Sequence, residues 1–420
     1  MDQRGFNNPY IEAKAAARLL DVKVATLYSY VSRGLVRSVA GKDARERLYA
    51  REDIERLRER HDARAGHAPV AAAALRWGEP VLETTIGELA ADGPRYRGRS
   101  ALALARAGTS FERVAELLWT GRDAAPPPFH AAGFGLPAPA LAACIPADGR
   151  ALTALTLVVP ALGSRDADRF ESTPDAELSR ARVLVKRLAA AVALPRGVAA
   201  ARRALAAPGV AGTLAFALGA RPSPRVLRAV DRALVLGAEH ELNVSTFAAR
   251  VVASTGADLY ACVAGALAAL SGPRHGGACD RIEALVLLAG RPERAAAVLR
   301  ERARLGEDVP GFGHPAYPGG DPRTAPLLEA AQELAPRSAP LRTTLALVHA
   351  MRAAGREGPT IDLGLVALAQ ALGAPPGSAT ALFAIGRLAG WIAHILEQRE
   401  RGVLLRPRSL YVGAPAPRGL

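Results

Sequence analysis

The stretch "ATALFAIGRLAGWIAHILEQ", Ala379 to Gln398, decides the fold class. Its apolar residues recur on every face at helical spacing, which describes a helix enclosed by other protein. Arg387 stands alone within it, with no acidic residue inside a turn. A guanidinium taken out of water is costly unless paired. Arg387 therefore requires a carboxylate from elsewhere, either a distant Asp or Glu or a bound substrate. It also interrupts the run as a membrane span, as Pro160 does in "LTALTLVVPALG" (152–163), so no span is expected.

Outward from this helix, most of the chain beyond residue 76 has the same texture. "SFERVAELLWTG" (110–121), "ELSRARVLVKRLAAAVAL" (177–194) and "APLLEAAQELA" (325–335) are Ala/Leu/Val runs at helical spacing, separated by Pro and Gly turns. Strand-type alternation is scarce, so this part reads as all-α. "DAAPPPFHAAGFGLPAPA" (123–140) reads as a loop.

The 420 residues are half hydrophobic and 22% charged, which is the composition of a globular chain with room for more than one domain. Three cysteines without CxxC spacing argue against a disulfide framework or a zinc module. The start "MDQRGFNNPY" has no apolar core of a secretory signal, so a cytoplasmic location is expected. The formal charge of +14 suggests nucleic acid, but only four of the 54 basic residues are lysine, a skew that reads as coding bias. Distribution is more informative: residues 1–64 hold 14 Lys/Arg against 10 Asp/Glu, about twice the basic density of the rest.

That first segment, 1–62, reads as a helix burying Ala16, Leu19 and Leu20, a turn at 21–23, and a second helix from Val24 to Ser32 stopped by Gly34. Two short strands around a charged turn (36–50) and a closing helix, "REDIERLRER" (51–60), follow. "AKAAARLLDVKVATLYSYVSRGLV" with "RLYAREDIERL" resembles the excisionase and MerR type of winged helix-turn-helix domain. The resemblance implies that the second helix offers Lys23, Thr26, Tyr28, Ser29 and Arg33 to DNA phosphates and base edges. A small protein-binding module is the alternative. Residues 63–76 read as an Ala-rich linker.

Polar groups interrupt the apolar sequence at four further places. His240 precedes an Asn/Ser/Thr cluster in which Asn243 or Ser245 can cap a helix. His275 lies among glycines in "GPRHGGACD" (272–280), where the backbone can approach a ligand closely. "PGFGHPAYPGGDPR" carries His314 and Arg323, and "GPTIDLGLVAL" opens a helix at Asp362. Gly311, Gly313 and Ala316 match a dinucleotide fingerprint in form, but Pro315 and Pro318 forbid the helix it needs. No HExxH and no GxSxG is present, so neither a zincin nor a serine hydrolase is indicated, and no metal is expected.

In order and spacing, "EHELNVSTFAARVVASTGADLYACVAGALAALSGPRHGG", "GFGHPAYPGGDPR", "IDLGLVALAQALG" and "FAIGRLAGWIAHILEQ…LLRPRSLYVG" resemble the citrate synthase family, and "YRGRSALALARAGTSFERVAELLWTG" resembles its early segment. The resemblance covers roughly 76–420. It implies a large domain over 77–276 and 373–420, a small domain over 277–372, and a homodimer closing over oxaloacetate and an acyl-CoA. It further implies Asp362 as the base, neutral His275 as donor to the thioester oxygen, and His314 as polariser of the oxaloacetate carbonyl. Arg323, Arg387 and, from the partner subunit, Arg406 would hold substrate carboxylates, with His240 a further contact. No cofactor is implied, coenzyme A entering as part of the substrate. His394, beside Trp391, reads as structural.

The sequence departs from the family where a basic residue commonly reaches the coenzyme A phosphates: here Pro315 and Pro318 flank Tyr317. "GPLHGGAN" appears with Arg274 and Cys279, and "HADHE" with Gly237 and Glu239. Two readings follow. One is a synthase condensing acetyl-CoA or another short acyl-CoA with oxaloacetate, which an intact Asp362 favours. The other is a DNA-binding regulator using the same fold as a metabolite sensor, which the fused N-terminal unit favours.

Overall fold

Short runs of Ala and Leu at helical spacing build the first unit, as the sequence requires. In this computed structural model, which describes residues 10–20, 22–33, 35–40, 47–55, 57, 82–146 and 149–407, α1 spans Ala13–Leu19 and α2 spans Val24–Ser32. Three antiparallel strands accompany them in the order β1-β3-β2: β1 Tyr10–Glu12, β2 Ser38–Ala40 and β3 Arg47–Ala50. Ile11, Ala16, Leu20, Leu27, Val36, Tyr49 and Ile54 form one core. The two wing strands agree with the sequence reading, and the chain is helical again over 51–55. The first strand is an addition: Tyr10 pairs with Ala50 and Glu12 with Leu48, because β3 has a free edge that a β-favouring Tyr-Ile pair can fill. Gly34, His61, His67, the linker over 63–76 and residues 408–420 lie outside the described residues.

By its contacts the chain divides into Met1–Thr84 and Thr85–Leu420. The second unit starts with a small antiparallel meander, β4 Gly87–Ala90, β5 Gly93–Tyr96 and β6 Arg99–Ser100, which the all-α expectation did not contain. Strands of two to four residues are too short to show alternation, and Asp92-Gly93 was legible only as a turn.

Helices make up the rest: α3 Ala101–Arg106, α4 Phe111–Thr120, α5 Ala138–Ala143, α6 Ala151–Gly163, α7 Pro174–Ala191, α8 Val198–Ala206, α9 Gly209–Ala217 and α10 Pro224–Gly237. They continue with α11 Val244–Ala253, α12 Leu259–Leu270, α13 Gly277–Ala289, α14 Ala295–Leu305, α15 Thr324–Leu334, α16 Ala339–Ala353, α17 Ile361–Ala371 and α18 Ser378–Arg401.

The axis of this assembly is α18. It is long and apolar enough to cross a bilayer, yet 94% of its most apolar window is buried inside the protein, so it is a core helix. It packs against α4, α10, α11, α12 and α17. Close approach is possible because Gly390 has no side chain: a Cβ there would run into the Ala238 carbonyl and the Glu239 carboxylate. Its N–H instead donates to the Ala238 oxygen at 3.0 Å. The turn carrying Glu239 and His240 is thereby fixed to the helix carrying Arg387.

Candidate active site

Three chain segments are tied together around α18. The first follows α10 and holds Glu239 and His240, after which Asn243 caps α11 by accepting from Thr246 N–H at 3.0 Å. The second is the turn between α12 and α13. His275 N–H donates to the Gly272 oxygen at 3.0 Å, and Gly276 lies so close beneath Leu270 that a Cβ would sit 2.5 Å from its carbonyl oxygen. The glycine expected to admit a ligand is required here by the chain itself. The third is the loop 310–323, joined to the entry of α17 through Gly313 N–H to Gly358 O, Thr360 N–H to Gly311 O and Asp321 N–H to Pro359 O, at 2.9 to 3.0 Å. That joint brings His314 and Asp362 together.

The histidines are neutral and individually oriented. Burial, with Arg387 adding to it, pushes His275 down to about 4. Burial, then Arg323 and Arg387, holds His240 well below the ordinary imidazole range, and burial lowers His314 as well. His314 Nδ1 accepts the Ala316 N–H at 3.2 Å, so its proton is on Nε2. The rings of His240 and His314 meet edge to face at 5.3 Å, and His240 Nε2 shares a 3.1 Å hydrogen bond with the Tyr317 hydroxyl.

His275 Nε2 lies 2.8 Å from Ser245 Oγ, which accepts the Trp391 Nε1–H at 3.1 Å and is placed to donate to Asn243 Oδ1 at 2.9 Å. Ser245 has one proton and two acceptors for it, Asn243 Oδ1 and His275 Nε2; given to His275, it leaves the imidazole proton on Nδ1, a donor on the opposite edge of the ring. Sequence reasoning offered Ser245 only as a possible helix cap; its place in an Asn/Ser/Thr cluster gave no hint of this contact.

Two buried cations face the same place. Both Asp321 oxygens are held by Arg323, Nε to Oδ1 at 2.9 Å and Nη2 to Oδ2 at 2.6 Å. Burial alone would raise the Asp321 carboxyl, and Arg323 overrides it and holds it below its ordinary value. Arg387 donates Nε–H to the Gly237 oxygen at 2.8 Å and lies 4.8 Å from the Phe383 ring centroid. Burial pushes its guanidinium down to about 10, with Glu239 acting against that through space. Among the described residues, Nη1 of Arg323 and Nη1 of Arg387 are buried without a hydrogen-bond partner. Such groups are rare in folded proteins and mark a place for an absent acceptor.

His240, His314 and Asp321 bring three donor atoms within 4.8 Å of one another, close enough for a metal ion. Both oxygens of Asp321 are already committed to Arg323, and two guanidiniums act on His240, so the potential favours an anion. Asp362 stands beside this pocket in the first turn of α17, and burial raises its carboxyl above the ordinary range.

Of the residues expected from sequence, His240, His275, His314, Arg323, Asp362 and Arg387 thus share one site. Arg406 is exposed past the end of α18 and makes no hydrogen bond or ion pair to this site among the described residues. His394, expected to be structural, bridges two charges: its Nδ1 accepts from Arg250 at 3.1 Å and its Nε2 lies 3.2 Å from Glu239 Oε1. In the first unit, Lys23, Tyr28 and Arg33 are exposed on or beside α2, and Thr26 and Ser29 are half-buried. Ser29 donates to the Thr26 oxygen at 2.8 Å, and Arg33 folds back onto Ser29 at 3.0 Å.

Residues 74–408 match the family model described as citrate synthase, C-terminal domain, and residues 12–64 match the MerR HTH family regulatory protein model. Citrate synthase 2 of Bacillus subtilis (strain 168) is 35% identical over 209 residues, 49% of this chain, and the match spans only 56% of that relative. Citrate synthase of Mycolicibacterium smegmatis is 34% identical over 345 residues, 76% of this chain and 89% of its own length. 2-Methylcitrate synthase of Mycobacterium tuberculosis (strain ATCC 25618 / H37Rv) is 33% identical over 341 residues, 76% and 84% respectively. The crystal structure of citrate synthase from Thermotoga maritima MSB8 superposes with a TM-score of 0.66 at 28% identity, covering 82% of this chain and 96% of the other. The helical fold around a buried arginine helix and the match across residues 74–408 lead to one conclusion: the chain belongs to the citrate synthase family.

Proposed function

We propose that the chain condenses a short acyl-CoA, acetyl-CoA first, with oxaloacetate, and that water then hydrolyses the resulting thioester to give citrate and free coenzyme A. The observation that carries this reading is the pair of buried guanidiniums with unpartnered Nη1 atoms, set beside neutral imidazoles and a raised carboxyl. A dicarboxylate supplies the acceptors that Arg323 and Arg387 lack. His314 Nε2–H polarises its carbonyl, with His240 alongside. Asp362 removes a proton from the acyl carbon while neutral His275 donates to the thioester oxygen, so that an enol forms instead of a free enolate. Arg406 acts in the site of the partner subunit of a homodimer.

The test is release of free thiol from acetyl-CoA plus oxaloacetate, with Asp362→Asn as control. The expected loss is about 10²- to 10⁴-fold in kcat with oxaloacetate binding retained. Wild type and variant equally inactive, with oxaloacetate still raising the melting temperature, would leave a metabolite sensor in place of an enzyme. One observation favours a regulatory role alongside catalysis: the MerR-type unit exposes Lys23, Tyr28 and Arg33 around α2. We infer that this unit binds duplex DNA and that the protein is cytoplasmic, in keeping with its three free cysteines.

A further inference from the structure

We propose that Thr360 and Cys279 form an asymmetric clamp on the Asp362 carboxylate, and that Cys279 is a positioning residue for the base. This rests on the synthase reading above. Each carboxylate oxygen has its own side-chain donor, in addition to the Asp362 backbone N–H. Thr360 Oγ1 donates to Oδ2 at 3.2 Å from the residue that precedes α17, and Cys279 Sγ donates to Oδ1 at 3.7 Å from the first turn of α13. Thr360 and Cys279 are both buried, at 7% and 1% exposure, so water does not compete for these bonds.

The two donors do different work because their strengths differ. An O–H donor stabilises the charged carboxylate and weakens it as a base, whereas S–H is a weak donor. Two strong donors would fix the carboxylate at the expense of basicity; one strong and one weak donor fix its rotation and leave it more basic. The thiol remains protonated to serve, since burial and then Asp362 push it well above its ordinary range. Cys279 is itself seated by its surroundings: it follows the Gly276 turn, whose carbonyl oxygen accepts from Thr380 Oγ1 at 3.3 Å. The turn holding His275 and the residue holding Asp362 thus belong to one continuous stretch of chain, 272–279, tied to α18 through Thr380, which links the placement of His275 to that of Asp362.

Other charged groups also act on this pair. Arg323 and Asp321 act on Asp362 from the 310–323 loop, and His314 of that loop and Arg387 of α18 feel the Asp362 charge. Glu283, one turn along α13, acts on Cys279. None of these changes when residue 279 is substituted, so the displacement caused by substitution reports the thiol.

The experiment measures thiol release from acetyl-CoA and oxaloacetate against pH for wild type, Cys279→Ala and Cys279→Ser, together with the infrared S–H stretch. Activity falls on the acid side as Asp362 takes up a proton. Losing a donor to the charged form moves that limb to higher pH, and a stronger donor moves it to lower pH. Cys279→Ala is expected to lower kcat about fivefold, the factor for ~1 kcal/mol, and to shift the limb upward. Cys279→Ser is expected to shift it downward, an opposite displacement that mere loss of packing does not produce. The S–H band that disappears in Cys279→Ala is expected to move when Asp362 becomes Asn. An S–H band unmoved in Asp362→Asn, or wild-type acid limbs in both Cys279 variants, overturns the clamp alone. A wild type that releases no thiol overturns the synthase reading and this role with it.

Discussion

Arg387→Met separates the contribution of the buried guanidinium to the fold from its contribution to ligand binding. Burial pushes the group from its free value down to about 10. A fall of that size stands against the ligand-free fold by about 3 kcal/mol. The sign follows from the charge: a cation whose folded-state value is depressed costs stability fully below that value, so the whole penalty is present at neutral pH. Methionine relieves it and fills similar volume. It also strands the Gly237 oxygen, bonded at 2.8 Å, and removes the contact with Phe383, together worth about 2–4 kcal/mol. The net change in the ligand-free protein is therefore within about 1 kcal/mol of zero, against the ~3–5 kcal/mol expected for truncating one partner of a satisfied buried ion pair. Oxaloacetate at 100 times its Kd should add about 2.7 kcal/mol to the wild type and almost nothing to the variant. Thermal or denaturant unfolding at pH 7, with and without oxaloacetate, measures both numbers. A variant that loses several kcal/mol without ligand, or that gains the wild-type increment with it, refutes the reasoning, because Arg387 would then be satisfied within the chain.

Ser245→Ala removes the hydroxyl that lies 2.8 Å from His275 Nε2 and frees the imidazole proton to choose either nitrogen; kcat for thiol release should fall roughly tenfold or more, with oxaloacetate-induced stabilisation kept. An unchanged kcat would exclude a tautomer-setting role for Ser245. In the first unit, Lys23→Ala should weaken binding to duplex DNA about equally for all sequences and reduce the slope of log K against log salt by ~1, measured by fluorescence anisotropy at several salt concentrations. A slope that does not change would place Lys23 away from the phosphates.

The helical fold was legible because the helices are long relative to their period and carry Ala and Leu on a continuous face; α18 could be read from its sequence alone. The short meander at 87–100 was not, since strands of two to four residues carry too few alternations to register. At the site, residue types and order were legible, and the partners were not. Arg387 announced a missing acceptor because an unpaired charge in an apolar run violates a strong rule. Ser245, Tyr317 and Thr360 violate none: each is a common polar residue near a helix start or turn, and only the fold brings it to a histidine or an aspartate.

The same contrast explains why the buried charges are distributed unequally. Arg323 is fully engaged on one side by Asp321, so its orientation is preset and one Nη remains for a guest. Among the described residues Arg387 has a backbone oxygen and a ring face, and its acidic neighbour Glu239 is turned toward His394, itself held by Arg250. If Glu239 bonded Arg387 directly, the burial cost of that guanidinium would be offset within the chain and the carboxylate affinity proposed for the site would fall. Holding Glu239 Oε1 on His394, and pinning its turn to Gly390, keeps that carboxylate near enough to moderate the charge of Arg387 through space, while Oε2 stays buried without a hydrogen-bond partner among the described residues.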